Sequence, residues 1–306
     1  MNTMLCLGEA LIDVVHSPDG SVVEHVGGSP LNVAGGLTRL DHPTTLACWI
    51  AEDDHGDLIR QWLADHVVAL APGSEAAPRT SVAQATVDEQ GQATYEFDLV
   101  WDLPPVDVAG ATHVHTGSIA AVLAPGADKV FEVLQRAAAL GATISYDPNM
   151  RPALMGSPAL VRDRVEAIIA ISDLVKASDQ DVAWLYPDEP LGQVLLRWKA
   201  LGAGLVVMTQ GVKGAVFVHG DDIVPVPPLR VEVADTVGAG DSFMAGLVSG
   251  LLDVGLLGAG RGRLAVDGQH QGIPEALVRA VATASITVAR PGAYAPTRDE
   301  IGADPR

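Results

Sequence analysis

Asp235-Thr-Val-Gly-Ala-Gly-Asp-Ser-Phe243 sets two glycines, an alanine and a carboxylate where an apolar run begins. Phe243, Met244, Leu247, Val248, Leu251 and Leu252 recur at the spacing of one buried helix face. That spacing predicts that Gly238, Ala239 and Gly240 form the first turn of a helix, with backbone N–H groups pointing outward. Small residues leave those amides open, and the helix dipole favours an anion there. Asp241 in the same turn would repel a phosphate. It reads as an ordinary cap, or as a general base beside a transferred phosphoryl group. The string is not a dinucleotide fingerprint, because Phe243 stands in place of the third glycine, and the chain contains no Walker A loop.

Other stretches carry groups of suitable type. Asp13, read as the end of the first strand, offers two oxygens to vicinal hydroxyls, as a polyol needs; alone it is more often a turn or cap residue. In Gly27-Gly-Ser-Pro-Leu-Asn-Val-Ala34, Gly28 permits close approach of a ligand, and Asn32 projects a donor and an acceptor from a first helical turn. A glycine turn with a cap accounts for the same letters. In Asp147-Pro-Asn-Met-Arg151, Asn149 and Arg151 face one cleft or sit on a surface loop. Lys176-Ala-Ser-Asp-Gln-Asp181 opens a helix after a strand, and Ser178 and Asp181 have nearly the spacing and types of a capping box. Thr209-Gln-Gly-Val-Lys-Gly214 joins two strands and by itself is a glycine turn. His113 and His115 alternate near a strand end and read as core or surface residues. No His or Cys cluster has the spacing of a structural zinc site.

Those groups need a scaffold that gathers strand ends. Residues 4–11 read as a central strand, and strand-like and helical segments then alternate to residue 209, with a hairpin over 214–226. Such β-α-β alternation predicts a parallel sheet covered by helices on both faces. Residues 81–101 break the rhythm. Their period-two pattern around Asp88-Glu-Gln-Gly91 predicts an antiparallel hairpin, which joins 14–26 in a small separate sheet or extends the main one. The expected division is a core of 1–13, 27–80 and 103–306, with a β lid of 14–26 and 81–102. The glycine-rich 257–272 reads as a surface loop, and disorder is expected at 302–306.

Composition narrows the partners. The 306 residues carry 19 Lys and Arg against 38 Asp and Glu, a net charge of −19. That balance opposes nucleic acid and anionic membranes, so an anionic ligand must be held locally by amides, metal and a few basic side chains. Hydrophobic residues make up 48%, ample for a core buried on both faces of a sheet. Cys6 and Cys48, both in apolar stretches, read as buried free thiols in a reducing setting. No run approaches the roughly 20 apolar residues of a membrane span, and a cytoplasmic location is expected.

The 235–243 string matches, position by position, the second signature of the ribokinase-like (PfkB) carbohydrate kinases. The 27–34 string resembles their first signature in its fructokinase form. The resemblance runs from Gly8-Glu-Ala-Leu-Ile-Asp13 to Arg290-Pro-Gly-Ala293. It implies an α/β fold, a ribokinase-like three-layer sandwich with a mostly parallel central sheet and a small β-sheet lid. It also implies ATP and Mg2+ as cofactors, a small sugar as substrate, and a homodimer joined through the lids. Sugar binding would fall to Asp13, Gly28, Asn32 and Asn149. Asp241 would be the base, with Gly238, Ala239, Gly240 and Arg151 on the phosphate charge. Lys176, Ser178, Thr209, Gly211 and Gly214 would hold the nucleotide. The family usually shows Asn-x-x-Glu to organise water around magnesium; here Ser178 and Asp181 replace them, the carboxylate one methylene shorter. Asp235 and the carbonyl of Val237 match positions that hold a monovalent cation such as K+, but Pro296 replaces a serine that often contributes.

Within that family, fructose is the first expectation. A sugar acid such as 2-keto-3-deoxygluconate needs a basic residue near the lid, and no Lys or Arg occurs between Arg79 and Lys129. Ribose or a nucleoside ranks third. A catalytically silent sugar sensor is the alternative from another class, and the intact Asp241 and anion loop oppose it.

Overall fold

The computed structural model describes residues 3–88, 93–265 and 272–302. Among them a nine-stranded sheet is built from β1 (Thr3–Leu7), β4 (Thr44–Ala47), β5 (Ala69–Leu70), β8 (Ala111–Gly117), β9 (Thr143–Asp147), β10 (Leu174–Ser178), β11 (Leu205–Thr209), β12 (Ala215–His219) and β13 (Asp222–Val226). Its order is β13-β12-β11-β10-β9-β8-β1-β4-β5, parallel except that β12 runs against both its neighbours. A second, four-stranded sheet has the order β3 (Val22–Gly27), β2 (Leu11–His16), β6 (Ser81–Val87), β7 (Ala93–Asp98).

Alternate side chains of the parallel strands enter different cores. Leu5 and Leu7 join Val114, Ile144 and Val175 on one face, under α3 (Gly126–Ala139), α5 (Pro158–Ile169), α6 (Asp179–Leu185) and α7 (Leu191–Leu201). Met4 and Cys6 join Leu46, Leu174 and Val207 on the other. There they lie under α1 (Ser29–Arg39), α2 (Asp54–Asp65), α8 (Ala239–Asp253) and α9 (Ile273–Val288). Burial on both faces is why these strands read as continuous apolar runs. Short helices α4 (Pro152–Met155) and α10 (Arg298–Gly302) complete the set. No helix of the described residues is long and apolar enough to cross a membrane.

One strand expectation is corrected. Residues 4–11 are not a single strand: β1 ends at Leu7, and Leu11 opens β2 in the smaller sheet. At Gly8 the backbone passes so close to Pro30 that an added Cβ would stand 2.2 Å from its Cγ. The apolar pattern continues through that crossing, so it conceals the change of sheet. Asp13 therefore lies within β2, paired with His25 of β3 and Ala83 of β6, not at the end of the first strand.

His113 and His115 are core residues, linked by hydrogen bonds through Ser145 Oγ at 2.9 Å each. Burial pushes both imidazoles down to about 3, which keeps them neutral. Cys6 and Cys48 are buried and unpaired with each other. Of the expected hairpin turn at 88–91, residues 89–91 lie outside the described residues, as do 266–271 of the glycine-rich stretch and 303–306 of the C-terminus.

Candidate active site

Helix α8 begins at the C-terminal edge of the parallel sheet, and its first turn sets the chemistry. Gly238 is its N-cap in the left-handed conformation (φ 74°), with no side chain capping the turn. The Ala239 N–H is turned back onto the Thr236 carbonyl at 3.3 Å. The N–H groups of Gly240 and Asp241 have no backbone acceptor among the described residues. The Gly238 N–H is likewise without an acceptor among the described residues, so of the three amides the spacing singled out only that of Ala239 is spent, and the open donors stand at the positive end of a long helix.

Asp241 is buried at 8% exposure. Ser29 Oγ donates to its Oδ1 at 2.6 Å and Asn32 Nδ2 to its Oδ2 at 2.8 Å. Both donors come from the first turn of α1, so the two glycine-bearing strings meet at one carboxylate. Burial pushes the Asp241 carboxyl above the ordinary Asp range, against the pull of Ser29, Asn32, Lys176 and Arg151. Asn32 Oδ1 is buried and has no hydrogen-bond partner among the described residues. A buried acceptor left open beside a carboxylate suits a ligand hydroxyl.

Asp13 lies on β2 of the smaller sheet, near enough to Arg151 for that guanidinium to act on both its carboxyl and that of Asp241. Its carboxyl is raised by the surrounding protein and lowered by His25 and Arg151. Gly27, on the neighbouring strand, makes room for it: an added Cβ would stand 2.2 Å from Asp13 Oδ2. Gly28, the N-cap of α1, passes equally close to the Glu9 carbonyl.

Arg151 follows β9, where Asn149 Oδ1 accepts from its Nη1 at 2.6 Å. The guanidinium is exposed, and its charge lowers the carboxyls of Glu9, Asp13 and Asp241. Asn149 thus spends its acceptor on holding Arg151.

Lys176 is buried near the end of β10 and pairs with Asp147 Oδ2 at 2.5 Å. Ser178 and Asp181 form a complete capping box on α6, and Asp181 Oδ1 also accepts from the Met150 N–H at 2.7 Å. That carboxylate ties the α6 start to the 147–151 loop. Among the described residues no three His, Cys, Asp or Glu side chains gather as metal ligands.

Thr209 ends β11 beside Ser178, and Gly211 and Gly214 form the exposed turn beyond it. These three stand further along the sheet edge, at the end of β11. Asp235 Oδ1 accepts from the Val237 N–H at 3.1 Å and Oδ2 from the Gly292 N–H at 2.8 Å, and these amides hold its carboxyl low. It staples the approach to α8 onto the loop after α9, and Val237 is exposed.

Sequence reasoning passed over Ser29, Asp147 and Glu9. Ser29 precedes a proline in a glycine turn and looked like punctuation. Asp147 needed the strand register that sets it beside Lys176. Glu9 is buried, accepts from the Ala120 N–H at 3.2 Å, and is pushed up to about 7 by burial.

Comparison with known proteins agrees with this geometry. A family model described as pfkB family carbohydrate kinase matches residues 1–300. A fructokinase of Klebsiella pneumoniae is 31% identical over 261 residues, covering 82% of this chain and 84% of that protein. One from Rhizobium leguminosarum bv. trifolii is 34% identical over 261 residues, covering 81% and 79%. Among solved structures, a fructokinase with bound ATP from Xylella fastidiosa superposes with a TM-score of 0.84 at 25% identity, covering 98% of this chain and 97% of that one. The chain belongs to the pfkB family of carbohydrate kinases and is an ATP-dependent sugar kinase.

Proposed function

We propose that this kinase transfers the γ-phosphoryl group of ATP to a hydroxyl of fructose, with Asp241 as the general base. The observation that carries the reading is the buried Asp241 carboxylate, fixed by Ser29 and Asn32 at an open helix start, beside the unpartnered Asn32 Oδ1. A sugar hydroxyl there donates its proton to Asp241 as its oxygen attacks the γ-phosphorus in line. The bond to the β,γ-bridging oxygen breaks, and ADP leaves with that electron pair. The N–H groups of Gly240 and Asp241 meet charge on the transferring group, and Arg151 adds a cation at the cleft mouth. Asp13 and Asn32 hold other sugar hydroxyls, and the four-stranded sheet acts as the lid that excludes water. Thr209, Gly211 and Gly214 border the nucleotide.

Magnesium fits this donor set as an ion held mainly by phosphate oxygens and water. Among the described residues Asp147 Oδ1 is buried without a hydrogen-bond partner and suits a metal-bound water, with Asp181 as a second outer carboxylate. The ion would supply charge neutralisation on the triphosphate. Asp235 and the Val237 carbonyl remain the proposed holders of a monovalent cation.

Fructose is favoured over a sugar acid by the charge of the lid. Its strands contain no Lys or Arg, and Arg79, next to β6, is held by Asp98 of β7. The relatives from Klebsiella pneumoniae and Rhizobium leguminosarum bv. trifolii are fructokinases.

The test is coupled-assay turnover with Mg-ATP on fructose, 2-keto-3-deoxygluconate, ribose and adenosine, with and without potassium. Fructose should show the highest kcat/KM; a higher value for the keto acid would overturn the substrate assignment. Asp241→Asn should lower kcat by at least about a hundredfold with fructose binding retained. Turnover within about tenfold of the unaltered enzyme would remove Asp241 as the base.

A further inference from the structure

The chain crosses between the two sheets from β1 to β2, from β3 to α1, from β5 to β6 and from β7 to β8. The first and the last of these crossings converge on the turn Ser118–Ala121, which follows β8. Glu9, in the middle of the first crossing, accepts from the Ala120 N–H with its Oε2 at 3.2 Å. Trp101, in the last, donates its indole Nε1–H to the Ala120 carbonyl at 3.1 Å. The backbone of Ala120 thus holds both the first entry to the smaller sheet and the final exit from it. The second crossing touches the same place, because a Cβ on Gly28 would stand 2.3 Å from the Glu9 carbonyl oxygen. Gly28 caps the helix whose Ser29 and Asn32 hold Asp241.

Glu9 is a titratable group at this joint, and it is 6% exposed. The Ser118 hydroxyl, its own N–H and Arg151 all lower its carboxyl, yet burial outweighs them and pushes it up to about 7. Ser118 is itself held at φ 54°, a backbone state that a serine keeps only where its surroundings impose it. The segments bordering Glu9, namely 28–30, Trp49, Ser81, 99–101 and the turn itself, carry no acidic or basic side chain. Arg151 brings the charge that acts on it, and Asp13 and Asp241 are the other carboxyls under that guanidinium. A cavity lined by Glu9, Leu11, Trp49, Ser81, Trp101 and Ile119 lies between the sheets, so side chains at the joint have space to shift.

We infer that Glu9 is a positioning residue for sugar binding, which fastens the entry of the lid to Ala120 while ionised and loosens it when protonated. The inference rests on the kinase reading above and concerns the joint of the lid, not a contact with the sugar. An ionised carboxylate only accepts, and its hydrogen bonds are roughly twice as strong as those between neutral groups. Once protonated, one oxygen becomes a donor and turns to Ser118 Oγ, the hydroxyl at hand, and the bond from the Ala120 N–H weakens. The looser joint takes over as pH falls through about 7. A sugar held between the lid and the strand ends then binds less tightly.

Glu9→Gln carries the test, because the amide keeps an acceptor of the same shape and cannot titrate. Fructose affinity is measured by calorimetry without nucleotide, and tryptophan emission is followed on the unliganded protein. For the unaltered protein, the fructose Kd should rise by about fivefold between about pH 8 and about pH 6, the difference between a charged and a neutral acceptor. Emission should change over the same range, since Trp49 and Trp101 border the cavity beside Glu9. In Glu9→Gln both dependences should vanish, with the Kd near the value the unaltered protein shows at the lower pH. Trp101→Phe removes the exit bond and no titrating group, so it should weaken fructose binding by a similar factor at both pH values. A Kd that still follows pH in Glu9→Gln, or that is constant in the unaltered protein, would overturn the inference. Trp101→Phe binding fructose as the unaltered protein does would also overturn it. If the unaltered enzyme turns over none of the sugars tested, the kinase reading fails by itself. The emission titration then still decides on Glu9, and emission that is constant, or that changes alike in both proteins, rejects it.

Discussion

Ser29 Oγ and Asp241 Oδ1, 212 residues apart in sequence, share a 2.6 Å hydrogen bond inside the protein. This bond and that of Asn32 fasten the first turn of α1 to the first turn of α8, and they fix which way the carboxylate faces. Both donors favour the charged form, and burial opposes it.

Ser29→Ala should therefore move a pH profile. As the proposed base, Asp241 would act only when ionised, so activity should fall as pH drops through its pKa. Burial already sets that pKa above the ordinary 3.8, and removing a donor to the carboxylate raises it further. The acid limb of kcat/KM should shift to higher pH in Ser29→Ala. A hydrogen bond to a charged group is worth about 1.5–3 kcal/mol, so turnover near neutrality should also drop by roughly tenfold. An unmoved limb would mean that another group sets it.

Gly27→Ala should act on sugar binding. The added Cβ meets Asp13 Oδ2 at 2.2 Å, and the carboxylate must turn away from its present direction. Asp13 is assigned to sugar hydroxyls that do not react, and losing such contacts raises KM with little change in kcat. We expect a fructose KM higher by about tenfold, or about 1.4 kcal/mol, with kcat within about threefold. Steady-state kinetics on the purified variant decide it. A fall in kcat with KM unchanged would remove Asp13 from the sugar site.

Much of this arrangement is legible in the residues, and the limits have physical causes. The uncapped helix start at 238–241 was readable because small residues stand directly ahead of a helical apolar run. Both sheets were foreseeable from the alternation of strand and helix and from the break at residue 81. Asp13 was assigned to the wrong strand because apolar spacing persists where the chain crosses between sheets at Gly8. Asp147 went unassigned because a carboxylate and a lysine on adjacent parallel strands meet only through register. The capping box of Ser178 and Asp181 was written in the spacing, and it forms.

Gly238→Ala should damage both stability and nucleotide use. Gly238 adopts φ 74°, a conformation that costs an L-residue about 1–2 kcal/mol. Its new Cβ would also stand 2.6 Å from the Ala293 Cβ, so the loop after α9 must retreat. The expected loss is about 2 kcal/mol or more of unfolding free energy, with a raised KM for ATP. Denaturant unfolding and ATP-dependent kinetics on the same preparation check both. A variant as stable as the unaltered protein would show that the turn can relax freely.

Glu300 offers a stability test independent of catalysis. It accepts from the Thr297 N–H at 2.7 Å and from the Tyr294 hydroxyl at 2.8 and 2.9 Å, and it pairs with Arg290 at 2.7 Å. It thereby braces the segment whose Gly292 N–H holds Asp235. Burial pulls the Glu300 carboxyl upward, but Thr297, Tyr294 and Arg290 together outweigh it and hold the group at about 2, against an ordinary 4.5. A depressed pKa contributes stability that is fully present above 4.5 and is lost as pH falls toward 2. The side chain is partly exposed, and screening keeps the contribution to about 1 kcal/mol. Glu300→Gln should therefore lower the urea midpoint near neutral pH. The gap between variant and unaltered protein should then narrow as the pH is taken down through that window. A gap that stays constant would mean that the carboxylate's charge contributes nothing, and that the hydrogen-bonding shape alone braces the loop.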